Sequence, residues 1–230
     1  MMSLPKNLID LPEYRQQERV FVERYDAGQV LARMLTGRTP PDSVVLAIPA
    51  GGVPVACAMA EPLGLDVDVV VVSKITFPWN PEAGYGAVAQ NGLVRLNERI
   101  LARVRLTEEE IQEGIRTTTA KVNRRANTLR GGKPAIDIAD RPVILVDDGI
   151  ASGTTMSVAI EALGQMKAAS ITIATPTGHL ESIRRICNTV DAIFCANVRS
   201  GSMFAVASAY ENWSDESEAE VIEWLAGKRV

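Results

Sequence analysis

The chain carries one histidine, His179, and only three cysteines, Cys57, Cys187 and Cys195, in 230 residues. The cysteines form no C-x-x-C pair, so the four thiolate or imidazole ligands of a structural zinc site have no spacing to use. Three reduced, mostly buried thiols are expected. Long hydrophobic runs are missing as well. No apolar stretch reaches the roughly 20 residues of a membrane span, and Met1–Lys6 lacks the apolar stretch of a signal peptide. No membrane association and a cytoplasmic location are the expectations. Positive charge is not in excess: 24 Lys and Arg against 28 Asp and Glu leave a net charge of −4, which argues against a general nucleic-acid surface. Internal repeats and low-complexity linkers are lacking. Two common nucleotide signatures are absent too. A Walker A loop would need Gly-Lys-Thr/Ser, and a dinucleotide fingerprint would need Gly-x-Gly-x-x-Gly.

What is present is an alternation of short apolar runs and helical stretches. Residues 44–48 (VVLAI) end at Pro49, and Gly51-Gly52 lead into a small-residue helix near 53–63. Residues 67–73 (VDVVVVS) form a second strand, followed by a Pro- and Gly-rich loop over 76–92. A third strand covers 143–147, and the helix after it runs from about Thr154 to Lys167. Strands at 170–175 and 192–196 follow, with a helix between them. This pattern predicts an α/β fold, one domain over 1–230, whose mostly parallel sheet is flanked by helices on both faces. Ligands in such sheets bind at the carboxyl ends of strands. Residues 107–130 break the rhythm. Thr107 before Glu108-Glu109-Glu110 is a helix start, and Gly131-Gly132 is a stop. This excursion is read as a solvated helix standing off the sheet, in preference to a nucleic-acid or partner surface. Residues 215–225 are read as a terminal amphipathic helix with Val221, Ile222 and Leu225 inward.

The segment Val143–Thr155 reads VILVDDGIASGTT. Four apolar residues make a strand, two acids sit at its carboxyl end, and a loop with two glycines and three hydroxyls enters a helix. A helix N-terminus offers free N–H donors and a positive dipole end, which suits a phosphate. Gly149 and Gly153 let the backbone curl around it, and Ser152, Thr154 and Thr155 add hydroxyl donors. Asp147 and Asp148 would repel a phosphate placed on them but suit vicinal hydroxyls. A ribose bearing a 5′-phosphate satisfies both halves. An ordinary Asp-Gly turn accounts for Gly149 alone.

Along its whole length this segment resembles the motif that binds phosphoribosyl pyrophosphate (PRPP) in type I phosphoribosyltransferases. The resemblance implies that Asp147 and Asp148 hold the ribose 2′- and 3′-hydroxyls, and that Gly149, Ile150, Ala151, Ser152, Gly153, Thr154 and Thr155 wrap the 5′-phosphate. It implies that Ala50, Gly51 and Gly52, after Pro49, touch pyrophosphate through backbone N–H groups, although many relatives carry Lys or Arg where this chain has Ala50. A plain strand-to-helix turn is the competing reading. Lys74, at the end of a strand Val69–Ser73, is implied as a pyrophosphate contact, against a solvated lysine. Residues 75–91 resemble the mobile catalytic loop, a lid that excludes water. Pro-x-Gly-Gly, Ser-Lys and Asn-Pro-Glu-x-x-x-Gly-Ala together resemble a poorly characterised subfamily. Phe204 and Glu211 match the base-binding stretch of purine enzymes, with packing of a terminal strand as the preferred alternative. His179 is read as a surface histidine rather than a crevice residue.

The implied fold is that of type I phosphoribosyltransferases, with a small hood from the termini. The implied function is transfer of a phosphoribosyl group from PRPP to a nitrogenous base, with pyrophosphate released. Lys74, Asp147 and Asp148 are the catalytic candidates. Mg²⁺ is expected to be held mainly through PRPP, with no protein metal site. The expected partners are PRPP and a base, and a homodimer is left open. The rival is a non-catalytic PRPP or nucleotide sensor, to which Ala50 points. A phosphate-ester hydrolase is a weaker rival, because no nucleophile or metal cluster supports it.

Overall fold

The computed structural model describes residues 4–227. Its main sheet has six strands, β1 (Leu8–Ile9), β2 (Val44–Ala47), β3 (Asp66–Val69), β7 (Pro142–Val146), β8 (Ser170–His179) and β9 (Ala192–Arg199), in the order β1-β9-β8-β7-β2-β3. Every pairing in it is parallel. Helices α1 (Arg24–Leu35), α2 (Gly52–Leu63), α4 (Glu108–Leu129) and α7 (Glu218–Leu225) pack with Val45, Ala47, Ile144 and Val146 on one face. On the other face α5 (Thr154–Gln165) and α6 (Leu180–Ile186) cover Val44, Leu46, Val143 and Leu145. Both faces are dry, so the strands are continuous apolar runs rather than alternating ones. The expected α/β architecture, a mostly parallel central sheet flanked by helices, is the one observed.

Four sequence expectations change. The run 67–73 is two strands, not one. β3 ends at Val69, and a new strand, β4 (Val72–Phe77), starts a separate antiparallel sheet with β5 (Asn80–Ala89) and β6 (Val94–Leu96). A one-turn helix, α3 (Glu98–Leu101), capped by Asn97, follows that sheet. Val69, Val70 and Val71 are all fully buried, and an unbroken apolar run carries no periodicity that could reveal the break. Lys74 therefore lies inside β4, opposite Ala87, and not at the carboxyl end of a main-sheet strand.

The Pro- and Gly-rich stretch 76–92 is mostly this hairpin. Its glycines serve close strand approach: a β-carbon at Gly84 would lie 2.3 Å from Lys74 Cγ, and one at Gly86 would lie 2.5 Å from the Arg95 carbonyl. Tyr85, Val88 and Ala89 are buried, and Ala87, Ala89 and Leu93 pack on Val158 and Ala162 of α5.

Helix α4 starts at the expected capping box, Thr107 with Glu110. It does not stand off the sheet, however. Val122, Ala126 and Leu129 enter the core, and Arg130 at its end donates to Asp68 of β3 at 2.7 Å. The hydrophobic stripe is thin among many charges, so composition hid it. The terminal helix starts at Glu218, capped by Ser217, with Val221 fully buried.

The hood joins two distant segments. The Phe21 N–H donates to Ala209, and the Glu211 N–H donates to Phe21. The expected terminal strand at 204–211 is instead an irregular segment with a short 3₁₀ turn, Ala207–Ala209.

Candidate active site

Between β2 and β7 the chain reverses its direction of travel across the sheet. β2 leads through α2 to β3 at one edge, and β7 leads through α5 to β8 on the other side. This is the switch point where parallel sheets open a ligand crevice. The two loops named from the sequence, 49–52 and 147–155, meet there. The Ile48 N–H donates to the Val146 carbonyl at 2.8 Å. A β-carbon at Gly51 would lie 1.8 Å from Asp148 Oδ2, and one at Gly52 would lie 2.8 Å from the Val146 carbonyl. Only glycines let the first loop sit this close to the acids.

The Gly52 N–H donates to Ile48 and the Val53 N–H donates to Ala50. Donation to a bound anion from this loop therefore falls to Ala50 and Gly51, and Gly52 serves close packing. The Ala50 side chain is half-buried against the core.

The second loop is held by parts that the sequence did not single out. The Ile150 N–H donates to Thr177 and the His179 N–H donates to Ile150, so Ile150 is a buried strut and not an outward donor. Ser182 Oγ donates to the Ala151 carbonyl at 2.5 Å, and Arg185 donates to the Ser152 carbonyl at 2.9 Å. Both carbonyls are thereby drawn toward α6. Gly153, at φ 72°, is the left-handed N-cap of α5. The exposed side chains of Ser152, Thr154 and Thr155 crown that helix N-terminus, which is a ready anion cradle.

The acids are fixed unequally. Asp148 accepts from Arg24 Nε at 2.9 Å, and its carbonyl accepts from the Tyr210 hydroxyl at 2.6 Å. Asp147 accepts the Asp148 N–H at 2.9 Å. Burial, and then the neighbouring charge of Asp148, push the Asp147 carboxyl well above the usual carboxylate range. Burial raises Asp148 as well, with the Arg24 guanidinium opposing it. Arg24 carried no sequence signal, since a lone arginine opening a helix is usually solvated.

Lys74 faces a cleft of about 830 Å³ between the hairpin and α5, together with Arg95, Arg99, Ser152, Thr154 and Thr155. The structure thus brings Lys74 to the phosphate loop and adds two cations. Arg95 is engaged by Glu161 on α5. Phe204 lies edge-on to His179 and 5.3 Å from the Arg199 guanidinium. Val206 covers Gly149, where a β-carbon would lie 2.4 Å from Val206 Cγ1. His179 Nε2 lies 3.0 Å from the Gly201 carbonyl. Glu211 is elsewhere, lining a cavity of about 520 Å³ with Arg24 and Trp213. Phe204 is not part of the lining of that cavity.

The three cysteines are free thiols. Burial pushes Cys57 up to about 12 and raises Cys195 further, so neither supplies a thiolate. Among the described residues no group of three or more His, Cys, Asp or Glu is placed to hold a metal, and no helix is long and apolar enough to cross a membrane.

Residues 31–211 match the phosphoribosyl transferase domain. The chain belongs to that family. It is 32% identical over 207 residues to a Mycobacterium tuberculosis (strain H37Rv) protein that is provisionally named a phosphoribosyl transferase. The match covers 90% of this chain and 46% of the relative, so the chain spans about half the length of the curated relatives it matches. Among solved structures, TT1426 from Thermus thermophilus superposes with a TM-score of 0.75 at 29% identity, over 90% of this chain and 98% of that one. The family match runs from α1 to Glu211 and so takes in both crevice loops and the hairpin.

Proposed function

We propose that this phosphoribosyltransferase-family protein transfers the phosphoribosyl group of PRPP to a nitrogenous base and releases pyrophosphate. The observation that carries the reading is the meeting of the Asp147–Asp148 pair and the α5 phosphate cradle with Gly51, across the β2–β7 switch point. One loop suits a sugar with vicinal hydroxyls and a 5′-phosphate. The other brings backbone donors to where the anomeric substituent would lie.

Substitution at the anomeric carbon through an oxocarbenium-like transition state leaves the protein little covalent work. It orients the reactants and neutralises charge on the departing pyrophosphate. The carboxylates accept from the ribose hydroxyls, and the first turn of α5 anchors the 5′-phosphate. Lys74 supplies positive charge from the hairpin side, a task that falls to it because Ala50 has no side-chain donor. Mg²⁺ held mainly through PRPP would need few protein ligands. Mg²⁺ would supply charge neutralisation at the leaving group.

The test is a screen of nitrogenous bases against PRPP and Mg²⁺, scored by pyrophosphate release. Release with one or a few bases is the expected result. Tight PRPP binding with silence across the whole screen would leave the sensor reading, which the core-facing Ala50 side chain favours.

A further inference from the structure

Arg24 touches both the acid pair and the segment closing over it. Its side chain is 8% exposed, and Nε holds Asp148 Oδ2 at 2.9 Å. Nη1 donates to the Ser214 carbonyl at 2.7 Å and to Glu216 Oε1 at 3.1 Å. The guanidinium carbon stands 4.0 Å from the Trp213 ring centroid, in cation–π contact. Gly51 presses on the same group, since a β-carbon there would lie 3.1 Å from Arg24 Nε. The backbone after Asp148 is held by Tyr210 of the hood as well. A guanidinium is a rigid planar fork, so a turn of the Asp148 carboxylate moves the groups on its other edge.

We propose that Arg24 is a positioning residue that couples the ribose site to the hood: one guanidinium sets the orientation of Asp148 and the placement of residues 213–216 together. Ribose hydroxyls arriving at the acids then shift Trp213, and displacement of the 213–216 segment weakens the grip on ribose. The inference rests on the reading of 147–155 as a PRPP site and assigns that site a partner outside both crevice loops.

Trp213 supplies the readout. The other two tryptophans, Trp79 and Trp224, are replaced by phenylalanine so that Trp213 alone emits. PRPP is titrated with Mg²⁺, and binding is measured in parallel by calorimetry. The expected result is a saturable change in Trp213 emission with the calorimetric midpoint. Arg24→Lys keeps the charge but loses the fork. It should weaken PRPP by about tenfold, the scale of one charge-assisted bond, and abolish the emission change while circular dichroism stays native. If Arg24→Lys does not fold, Glu216→Ala is measured, which removes one charged contact of the hood arm while the Ser214 bond stays, and leaves Asp148 paired. That variant should blunt the emission change. An Arg24→Lys protein within twofold of the parent in affinity, or an emission change untouched in a folded variant, overturns the coupling and leaves the PRPP reading standing. An emission that ignores saturating PRPP does the same. A parent protein that shows no PRPP binding by calorimetry overturns both.

Discussion

The α-carbon of Gly51 sits so close to the Asp148 carboxylate that a methyl group on it would overlap Oδ2, at 1.8 Å. Gly51→Ala must displace either the first crevice loop or the acid that Arg24 holds. The expected outcome is a loss of PRPP affinity of at least about tenfold, from a disturbed charge-assisted contact, together with a lower Tm. Gly164→Ala is the control. Gly164 is an exposed position in α5 where an added β-carbon would meet nothing within 4 Å, and alanine there should stabilise by about 0.5–1 kcal/mol. Equal calorimetric affinities for the two variants would remove Gly51 from the site.

Asp147 gives a pH signature. Burial and the Asp148 charge raise its folded-state value above the ordinary one. Its neutral form therefore favours the folded state. That contribution is complete below the ordinary aspartate value of about 4 and is lost as pH rises through the raised value. Asp147→Asn removes the dependence. The variant and the wild type should melt together near pH 4, and the variant should melt higher at pH 7.5, by roughly 2–4 °C per kcal/mol relieved. PRPP should reverse the order at pH 7.5, because the variant loses its bond to ribose hydroxyls. A Tm difference that stays flat with pH would show that the carboxyl is not strained.

The hairpin divides into an anchored base and a projecting tip. Tyr85, Val88 and Ala89 are buried, and Phe77 and Trp79 stack near the turn with Trp79 61% exposed. In free protein, hydrogen exchange should be slow over 85–89 and fast over 77–84, and the tip alone should gain protection with PRPP and Mg²⁺. Gly114→Ala would put a β-carbon 2.1 Å from the Tyr85 hydroxyl. It should cost about 1–3 kcal/mol as overpacking and speed exchange over 85–89. Uniform exchange across 77–89 would mean the sheet moves as one lid.

Lys74 divides rate from affinity. Its place in the cleft with Arg95, Arg99 and the phosphate-loop hydroxyls suits charge that develops as pyrophosphate departs. Lys74→Ala should lower kcat by about 10²–10³, the range seen on removing one transition-state donor, and change PRPP affinity by less than about fivefold. Equal losses in kcat and affinity would assign Lys74 to ground-state binding.

The parts of the site that the sequence revealed are local in chain. Val143–Thr155 announces itself because strand, acids, glycines and hydroxyls follow one another within thirteen residues, and each has a backbone-level task. The main-sheet strands are legible for a similar reason: a strand buried on both faces is a short apolar run between turns. Arg24, Ser182 and Arg185 were invisible because their partners lie 124, 31 and 33 residues away, and nothing in a single arginine or serine encodes that meeting. The hairpin was misread because its glycines and prolines look like loop punctuation, whereas Gly84 and Gly86 are there to let strands touch. The helix 108–129 was misplaced because its buried stripe of Val122, Ala126 and Leu129 is diluted by charge.

The bond from Arg24 to Asp148 spans 124 residues and the bond to Glu216 spans 192. Closing such long loops is slow, because the chain gives up entropy before these contacts form. The units β2–α2–β3 and β7–α5–β8 bury their apolar surface among near neighbours. They can gather while the acids still lack their cation. The ribose grip is then the last part of the molecule to assemble and, under rising denaturant, the first to let go. Loss of PRPP binding should precede loss of the sheet.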